Sequence, residues 1–176
     1  MTEEIIIRQA DEKDWPLVHD LLIQVARWLS EQGSAQWKGL LEGQDSHQTQ
    51  ERIKENQVYI AEDAGKTLLG MYILYDHPSQ WDKDLWSDDN REDYYYLHRL
   101  AVDRRFNGRG ISGLLLENAK ENTRNKGKKA LRLDCRANVA ALNRLYSKNG
   151  FELVGCKEDY PDGDRLTSFN LYEYKV

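Results

Sequence analysis

One stretch of this chain constrains its fold more than any other. In YYYLHRLAVDRRFNGRGISG, Tyr94 to Gly113, an apolar run passes through a basic, glycine-rich turn directly into the amphipathic segment Leu114 to Lys126. A strand and a helix must therefore meet end to end across that turn. Such a junction also carries chemistry. Backbone N–H groups point outward at a helix N-terminus, the helix dipole favours an anion, and glycines let a ligand approach the main chain closely. Arg104, Arg105 and Arg109 add positive charge, so the ligand implied carries a pyrophosphate.

The rest of the chain alternates in the same way. Glu4 to Arg8 reads as a short strand, and Asp11 caps a helix to Ser30 with Trp15, Val18, Leu22, Val25, Ala26 and Leu29 at helical spacing. Gly33 to Asn56 is less regular, with a short helix at Ser46 to Glu55. Gln57 to Glu62 and Thr67 to Tyr75 pair as a hairpin, and an acidic, tryptophan-bearing loop runs from Asp76 to Asp93. The strand Tyr94 to Val102, a helix at Gly110 to Lys126, a strand at Ala130 to Cys135 and a helix at Val139 to Lys148 follow. Two strands, Phe151 to Tyr160 and Arg165 to Tyr174, end the chain. This order predicts an α/β (α+β) fold with a mixed, mainly antiparallel central sheet flanked by helices.

Length and charge bound what such a fold can do. At 176 residues, 40% apolar and 31% charged, the chain suits one domain over 1–176 with a sizeable core. A net charge of −5 argues against a nucleic-acid partner. No apolar run of about 18 residues appears, and the acidic start MTEEIIIRQ is unlike a signal peptide, so no membrane partner and a cytoplasmic location are expected. Cys135 and Cys156 form no CxxC pair and read as reduced thiols, with no metal site.

Inside the central strand the aliphatic positions slip from Leu97 to Leu100 and Val102, a spacing that a β-bulge near Arg99 explains; a strand buried on both faces, apolar anywhere, is the alternative. Leu-Ala-Val at 100–102, the turn Asn107 to Ser112 at a fixed distance after it, and Tyr146-Ser-Lys-Asn-Gly-Phe151 downstream resemble the coenzyme A half of the GNAT superfamily of acetyltransferases over about sixty residues. That family places Arg or Gln first and Gly or Ala last in the turn, where this chain has Asn107 and Ser112. A literal R-x-x-G-x-G also occurs at Arg105 to Gly110, two residues early. Gly108, Gly110 and Gly113 further spell the GxGxxG of dinucleotide sites, but five residues separate Val102 from Gly108 and few residues follow Asp134, which argues against a doubly wound sheet.

The resemblance implies acetyl-coenzyme A as co-substrate and no metal. It implies cofactor contacts from Leu100, Ala101 and Val102, from Asn107, Gly108, Arg109, Gly110, Ile111 and Ser112, and from Asn138, which otherwise caps a helix. It gives Tyr146 the role of protonating the departing thiolate, against a plain packing role, and offers His98 as general base, against a structural histidine. Glu92, Asp93 and Tyr96 compete for that base. Cys135 as a nucleophile lacks a base of its own and reads as a small buried thiol. The acceptor implied is a primary amine of a small molecule, peptide or protein, and a homodimer stays open. The acidic segments Trp81 to Asp93 and Tyr160 to Arg165 would attract a cationic amine, with Trp28, Trp37, Trp81 and Trp86 as apolar walls. A non-catalytic coenzyme A-binding regulatory domain on the same fold is the alternative.

Overall fold

Asp11 begins the first helical segment as its side chain allows. Its carboxylate accepts from the Lys13 N–H at 2.8 Å and Asp14 answers by accepting from the Asp11 N–H, a reciprocal box around a short 3-10 turn. Helix α1 (Trp15–Glu31) continues from it with Pro16 in the first turn and buries Val18, Leu22, Val25 and Ala26 of the expected stripe together with Leu21, while Trp15 and Leu29 at its ends are half-buried. The computed structural model describes residues 4–87, 92–162 and 164–176. The middle of the acidic loop, 88–91, and the centre of the YPDGDR turn, Gly163, lie outside the described residues.

Strands β1 (Ile6–Gln9), β2 (Val58–Glu62), β3 (Leu68–Tyr75), β4 (Tyr94–Val102), β5 (Ala130–Arg136), β6 (Glu152–Asp162) and β7 (Arg165–Lys175) make one sheet in the order β1-β2-β3-β4-β5-β7-β6. The β4–β5 pair is parallel, while β1–β2, β2–β3, β5–β7 and β6–β7 are antiparallel, which is the mixed, mainly antiparallel arrangement expected. Helices α2 (Lys38–Leu41), α3 (Thr49–Lys54), α4 (Gln80–Trp86), α5 (Ile111–Asn125) and α6 (Ala140–Lys148) complete the chain. By compactness it divides into Met1–Leu74 with Arg99–Leu115, and Tyr75–His98 with Leu116–Val176.

In the first unit, the hairpin of β2 and β3 closes on a turn where the Asp63 side chain accepts from the Thr67 N–H at 2.9 Å and Lys66 takes a left-handed φ of +62°. Arg8 ties β1 to its surroundings through Asp14 at 2.8 Å and Glu62 at 2.9 Å. Gly70 of β3 lies where nothing larger fits: a Cβ there would stand 2.8 Å from the Ala101 carbonyl oxygen, 3.0 Å from Leu115 Cδ1 and 3.2 Å from Ile111 Cγ2. The absent side chain lets the start of α5 lie directly on the strands, which sets where the glycine-rich turn ends.

The second unit departs from expectation at α4. The acidic loop expected over Asp76 to Asp93 contains a helix, because Ser79 and Asp82 cap it reciprocally and Trp81 and Leu85 pack inward. Seven residues show too little periodicity to betray a helix in the sequence. Leu85, Phe169 and Leu171 form the apolar centre beneath it, with Trp81, Trp86 and Tyr160 packed around them. The tryptophans of this segment are thus partly core residues.

The tight approach at Gly70 yields a stability test. Gly70→Ala should lower the unfolding free energy by about 1–3 kcal/mol through overpacking, measured as a shift in the urea midpoint at unchanged slope. An unshifted midpoint would show that the strand-to-helix contact relaxes freely.

Candidate active site

The turn after β4 has the geometry its composition predicts. Gly108 and Gly110 adopt φ of +82° and +76°, a left-handed conformation that side chains resist, and a Cβ on either would meet open space. The glycines are therefore required by the backbone, and the room above them is left for a ligand. The first helical bond of α5 runs from the Leu114 N–H to the Gly110 carbonyl at 3.2 Å, so Ile111, Ser112 and Gly113 carry the orphan donors of the first turn. Asn107 is held by its N–H to the Arg104 carbonyl at 3.3 Å. These residues fit a pyrophosphate. The arginines are less uniform than the sequence suggests. Arg105 is tied to Asp103 at 2.9 Å, Arg104 lies over the Trp28 ring at 3.7 Å, and Arg109 sits beside Phe106.

The end of β4 breaks regular strand conformation at Arg99, whose φ of +54° is left-handed. An interruption at this position is what the aliphatic spacing implied. Beyond it Ala101 is buried, and the Asp103 N–H returns to the Leu69 carbonyl at 2.9 Å. The Arg99 guanidinium reaches over the Trp37 ring at 5.0 Å and toward Asp45 at 3.5 Å.

In the other unit, strand register sorts the candidate side chains onto two faces. Tyr96 pairs with Arg132, and this parallel register ends there, while β5 runs on to Arg136 beside β7. Alternation then puts Tyr96, His98, Arg132, Asp134 and Arg136 on one face, and Leu97, Leu133 and Cys135 on the other.

Helix α4 covers the first face. His98 Nε2 donates to both Asp82 carboxylate oxygens, at 2.9 and 3.0 Å, with the two side chains 8% and 1% exposed. Asp82 also accepts from the Ser79 hydroxyl at 2.8 Å and the Ser79 N–H at 3.0 Å. With Nε2 held by the carboxylate, the ring is fixed in orientation. Asp134 accepts from the Trp81 indole N–H at 3.2 Å. Burial pushes its carboxyl up to about 6; the His98 charge and the Trp81 bond oppose that rise, and the Asp82 charge adds to it. One ligating atom from each of Asp82, His98 and Asp134 lies within 4.8 Å of the others. Within the cluster His98 is hydrogen-bonded to Asp82 and Asp134 to Trp81, and Asp134 interacts with the other two groups through charge.

Helix α6 covers the second face and is riveted to it by Asn143. The Asn143 Oδ1 accepts from Tyr172 at 2.6 Å, Asn170 at 2.7 Å and the Cys135 thiol at 3.6 Å, while its amide donates to the Arg136 carbonyl at 3.2 Å and the Val139 carbonyl at 2.9 Å. Tyr146 is consequently fixed between Phe151 and Tyr172, with ring centroids 6.0 and 5.8 Å away. Burial, then the nearby Cys135, Asp134 and Tyr172 groups, hold its phenol above the usual range, so it stays a proton donor. Burial pushes the Cys135 thiol up to about 12, which agrees with its reading as an inert thiol.

Among the competing bases, Tyr96 O–H accepts from Arg132 at 3.1 Å and Asp93 pairs with Lys129 at 3.0 Å. Asn138 is exposed, and the N-cap of α6 is Val139, with no side-chain cap bond, so the capping reading of Asn138 does not hold. In the sequence Asp82 stands out only as part of the acidic segment Trp81 to Asp93 and through its Ser-x-x-Asp spacing, Asp134 only as the acid of the excluded dinucleotide motif, and Asn143 carries no signal.

Residues 22–151 match the acetyltransferase (GNAT) family model. The chain is 39% identical over 164 residues to the uncharacterized N-acetyltransferase YesJ of Bacillus subtilis, covering 93% of this chain and 86% of that protein. A GNAT-family acetyltransferase structure from Listeria monocytogenes superposes with a TM-score of 0.81 at 34% identity, over 100% of this chain and 99% of that one. The acetyltransferase yncA of Salmonella typhimurium, solved with its cofactor acetyl-CoA, superposes with a TM-score of 0.71 at 17% identity, over 97% and 93% of the two chains. No helix among the described residues is long and apolar enough to cross a membrane.

The raised Asp134 carboxyl makes folding pH-dependent in a defined direction. Below about pH 4 the group is protonated in both folded and unfolded chains and costs nothing; as pH rises toward 6 the unfolded chain ionises first, and stability falls. Asp134→Asn, neutral throughout, should therefore gain up to about 3 kcal/mol relative to the native chain between pH 4 and pH 7. The comparison is made from denaturation midpoints across that range; a pH-independent difference would mean an ordinary carboxylate.

Proposed function

Because this chain belongs to the GNAT family of acetyltransferases, we propose that it transfers the acetyl group of acetyl-coenzyme A to a primary amine, by direct attack in a ternary complex and as one domain over 1–176. The observation that carries this reading is the division of β5: a proton-accepting network on one face, and a phenol held protonated on the other.

Acyl transfer to an amine sets three tasks. The acceptor ammonium must lose a proton, the thioester carbonyl must be polarised, and the leaving thiolate must be protonated. When bound, acetyl-coenzyme A supplies the acetyl group as a thioester. The Asp82, His98 and Asp134 group takes the acceptor's proton, at the His98 ring or at the ionised Asp134 carboxylate. As the new C–N bond forms and the C–S bond breaks, Tyr146 gives its phenolic proton to the sulfur, and the surplus proton on the new amide nitrogen leaves to reprotonate the phenolate, directly or through solvent. Main-chain N–H groups around Leu100 to Val102, beside the left-handed Arg99, polarise the carbonyl. Orphan N–H groups of the Asn107 to Ser112 turn hold the pyrophosphate, and Asn138 contributes a further contact. The acceptor is a small-molecule amine or the amine of a peptide or protein.

The direct experiment is to mix the protein with acetyl-coenzyme A and a panel of primary amines and follow free thiol. Acceptor-dependent release supports the reading, whereas tight binding without release across the panel favours a regulatory role. Tyr146→Phe keeps the ring and removes the donor, so kcat should fall by about 10² at unchanged cofactor affinity. Unchanged turnover with chemistry limiting would return Tyr146 to packing alone. Gly110→Glu strains a left-handed residue and adds negative charge at the turn, and should weaken acetyl-coenzyme A binding by about tenfold or more, measured by calorimetry. Normal affinity would move the pyrophosphate elsewhere.

A further inference from the structure

Arg99 is left-handed inside a strand, although neither it nor its neighbours His98 and Leu100 is a glycine or asparagine. A side chain of this kind adopts that conformation only where its surroundings hold it. The hold has to come from what Arg99 touches. Its side chain is 6% exposed and reaches the segment that leads into α3. The guanidinium carbon lies 5.0 Å from the centroid of the Trp37 ring, and one terminal nitrogen stands 3.5 Å from Asp45 Oδ1 and 3.4 Å from Ser46 Oγ. The group thus meets an aromatic face and an acidic edge together.

Both partners are anchored. The Trp37 carbonyl accepts from the Leu40 N–H at 3.0 Å at the start of α2, and Leu40 is buried. Asp45 accepts from the N–H groups of His47 at 3.0 Å and Thr49 at 2.9 Å, which opens α3, where Thr49 and Ile53 are buried. Beyond Arg99 the chain is fixed to β3, through the Asp103 N–H on the Leu69 carbonyl and the Ala101 carbonyl packed on Gly70. All of these residues belong to the first unit.

Resting on the acetyl-transfer reading above, we propose that the grip of Trp37, Asp45 and Ser46 on the Arg99 guanidinium holds the break in β4 and thereby aims the main-chain N–H groups of Leu100 to Val102 at the thioester carbonyl. Arg99 is a positioning residue: it acts on the carbonyl through its own backbone, while its charge is engaged by the segment before α3. Arginine suits the task because its fork is rigid and always charged, so one side chain meets a ring and a carboxylate at once. In the extended conformation the strand would regain its alternation, and those donors would turn away.

The test reads the carbonyl directly, from the infrared band of acetyl-coenzyme A isotope-labelled at its acetyl carbonyl. On binding to the native chain the band should fall in frequency, as a polarised thioester does. Arg99→Ala removes the grip and keeps a Cβ. It should lose most of that fall and lower kcat by about tenfold or more, with acetyl-coenzyme A affinity within about threefold of native because the turn at Asn107 to Ser112 is untouched. Trp37→Leu should act in the same direction with Arg99 in place. Arg99→Gly should keep more of the fall than Arg99→Ala, since glycine takes a positive φ freely, whereas for a residue that only packs the smaller side chain would be at least as damaging. Melting temperatures check that the variants fold. A native band position in Arg99→Ala and Trp37→Leu, or an equal loss with glycine and alanine, overturns the proposal. If the native chain binds acetyl-coenzyme A without any fall, the carbonyl-polarising reading fails by itself, and the backbone chemical shifts of Arg99 decide the grip independently. A move out of the left-handed region in Trp37→Leu supports it, and an unmoved Arg99 overturns it.

Discussion

The candidate site depends on one buried carboxylate. Asp82 closes the capping box of α4 with Ser79 and at the same time accepts the Nε2–H of His98. The same oxygens therefore decide whether a short helix forms and which nitrogen of the histidine carries the proton. Leaving a buried polar group without its hydrogen-bond partner typically costs about 1–3 kcal/mol, so the helix cap and the imidazole depend on the same carboxylate. With α4 in place, Trp81 is aimed at Asp134, and its ring packs on Phe169 at a centroid distance of 5.0 Å. The surroundings of Asp134 are thus a consequence of how Asp82 is satisfied.

A second constraint acts from the opposite face. A single amide, Asn143, gathers a thiol, a phenol and another amide on its oxygen and spends its N–H groups on carbonyls at the end of β5. A half-buried amide satisfied on both ends fixes orientation more tightly than apolar contact, because its bonds are directional and a lost one is only partly replaced by water. Tyr146 lies less than one helical turn further along α6 and inherits that precision. Burial on this face raises both Tyr146 and Cys135, but with opposite chemical results: a phenol kept protonated remains a useful donor, whereas a thiol kept protonated is a poor nucleophile.

Backbone conformation supplies the third element. Gly108 and Gly110 are left-handed with open space where side chains would be, and Arg99 is left-handed within a strand. Such residues persist only where the surrounding structure holds them. The arginines of the turn are largely engaged with Asp103, Trp28 and Phe106, so the attraction for an anion there comes chiefly from main-chain N–H groups and the helix terminus.

Local features of the chain determined much of this without tertiary help. Apolar periodicity sets the order of strands and long helices, the glycines of 108–110 set the turn, and the spacing from Leu100 to Tyr146 carries the family resemblance, because each depends on residues near one another in sequence. The partners of His98 were decided only in three dimensions. Asp82 and Asp134 come from a seven-residue helix and a separate strand, and an Asp in either place looks like any solvated acid until register and packing put it beside an imidazole. Asn138 drew attention for its place before a helix, while Asn143, on the buried side of that helix, makes the bonds. A sequence records which side chains can donate or accept, but burial and long-range pairing select which of them must, since only a group removed from water is obliged to find its partner within the protein.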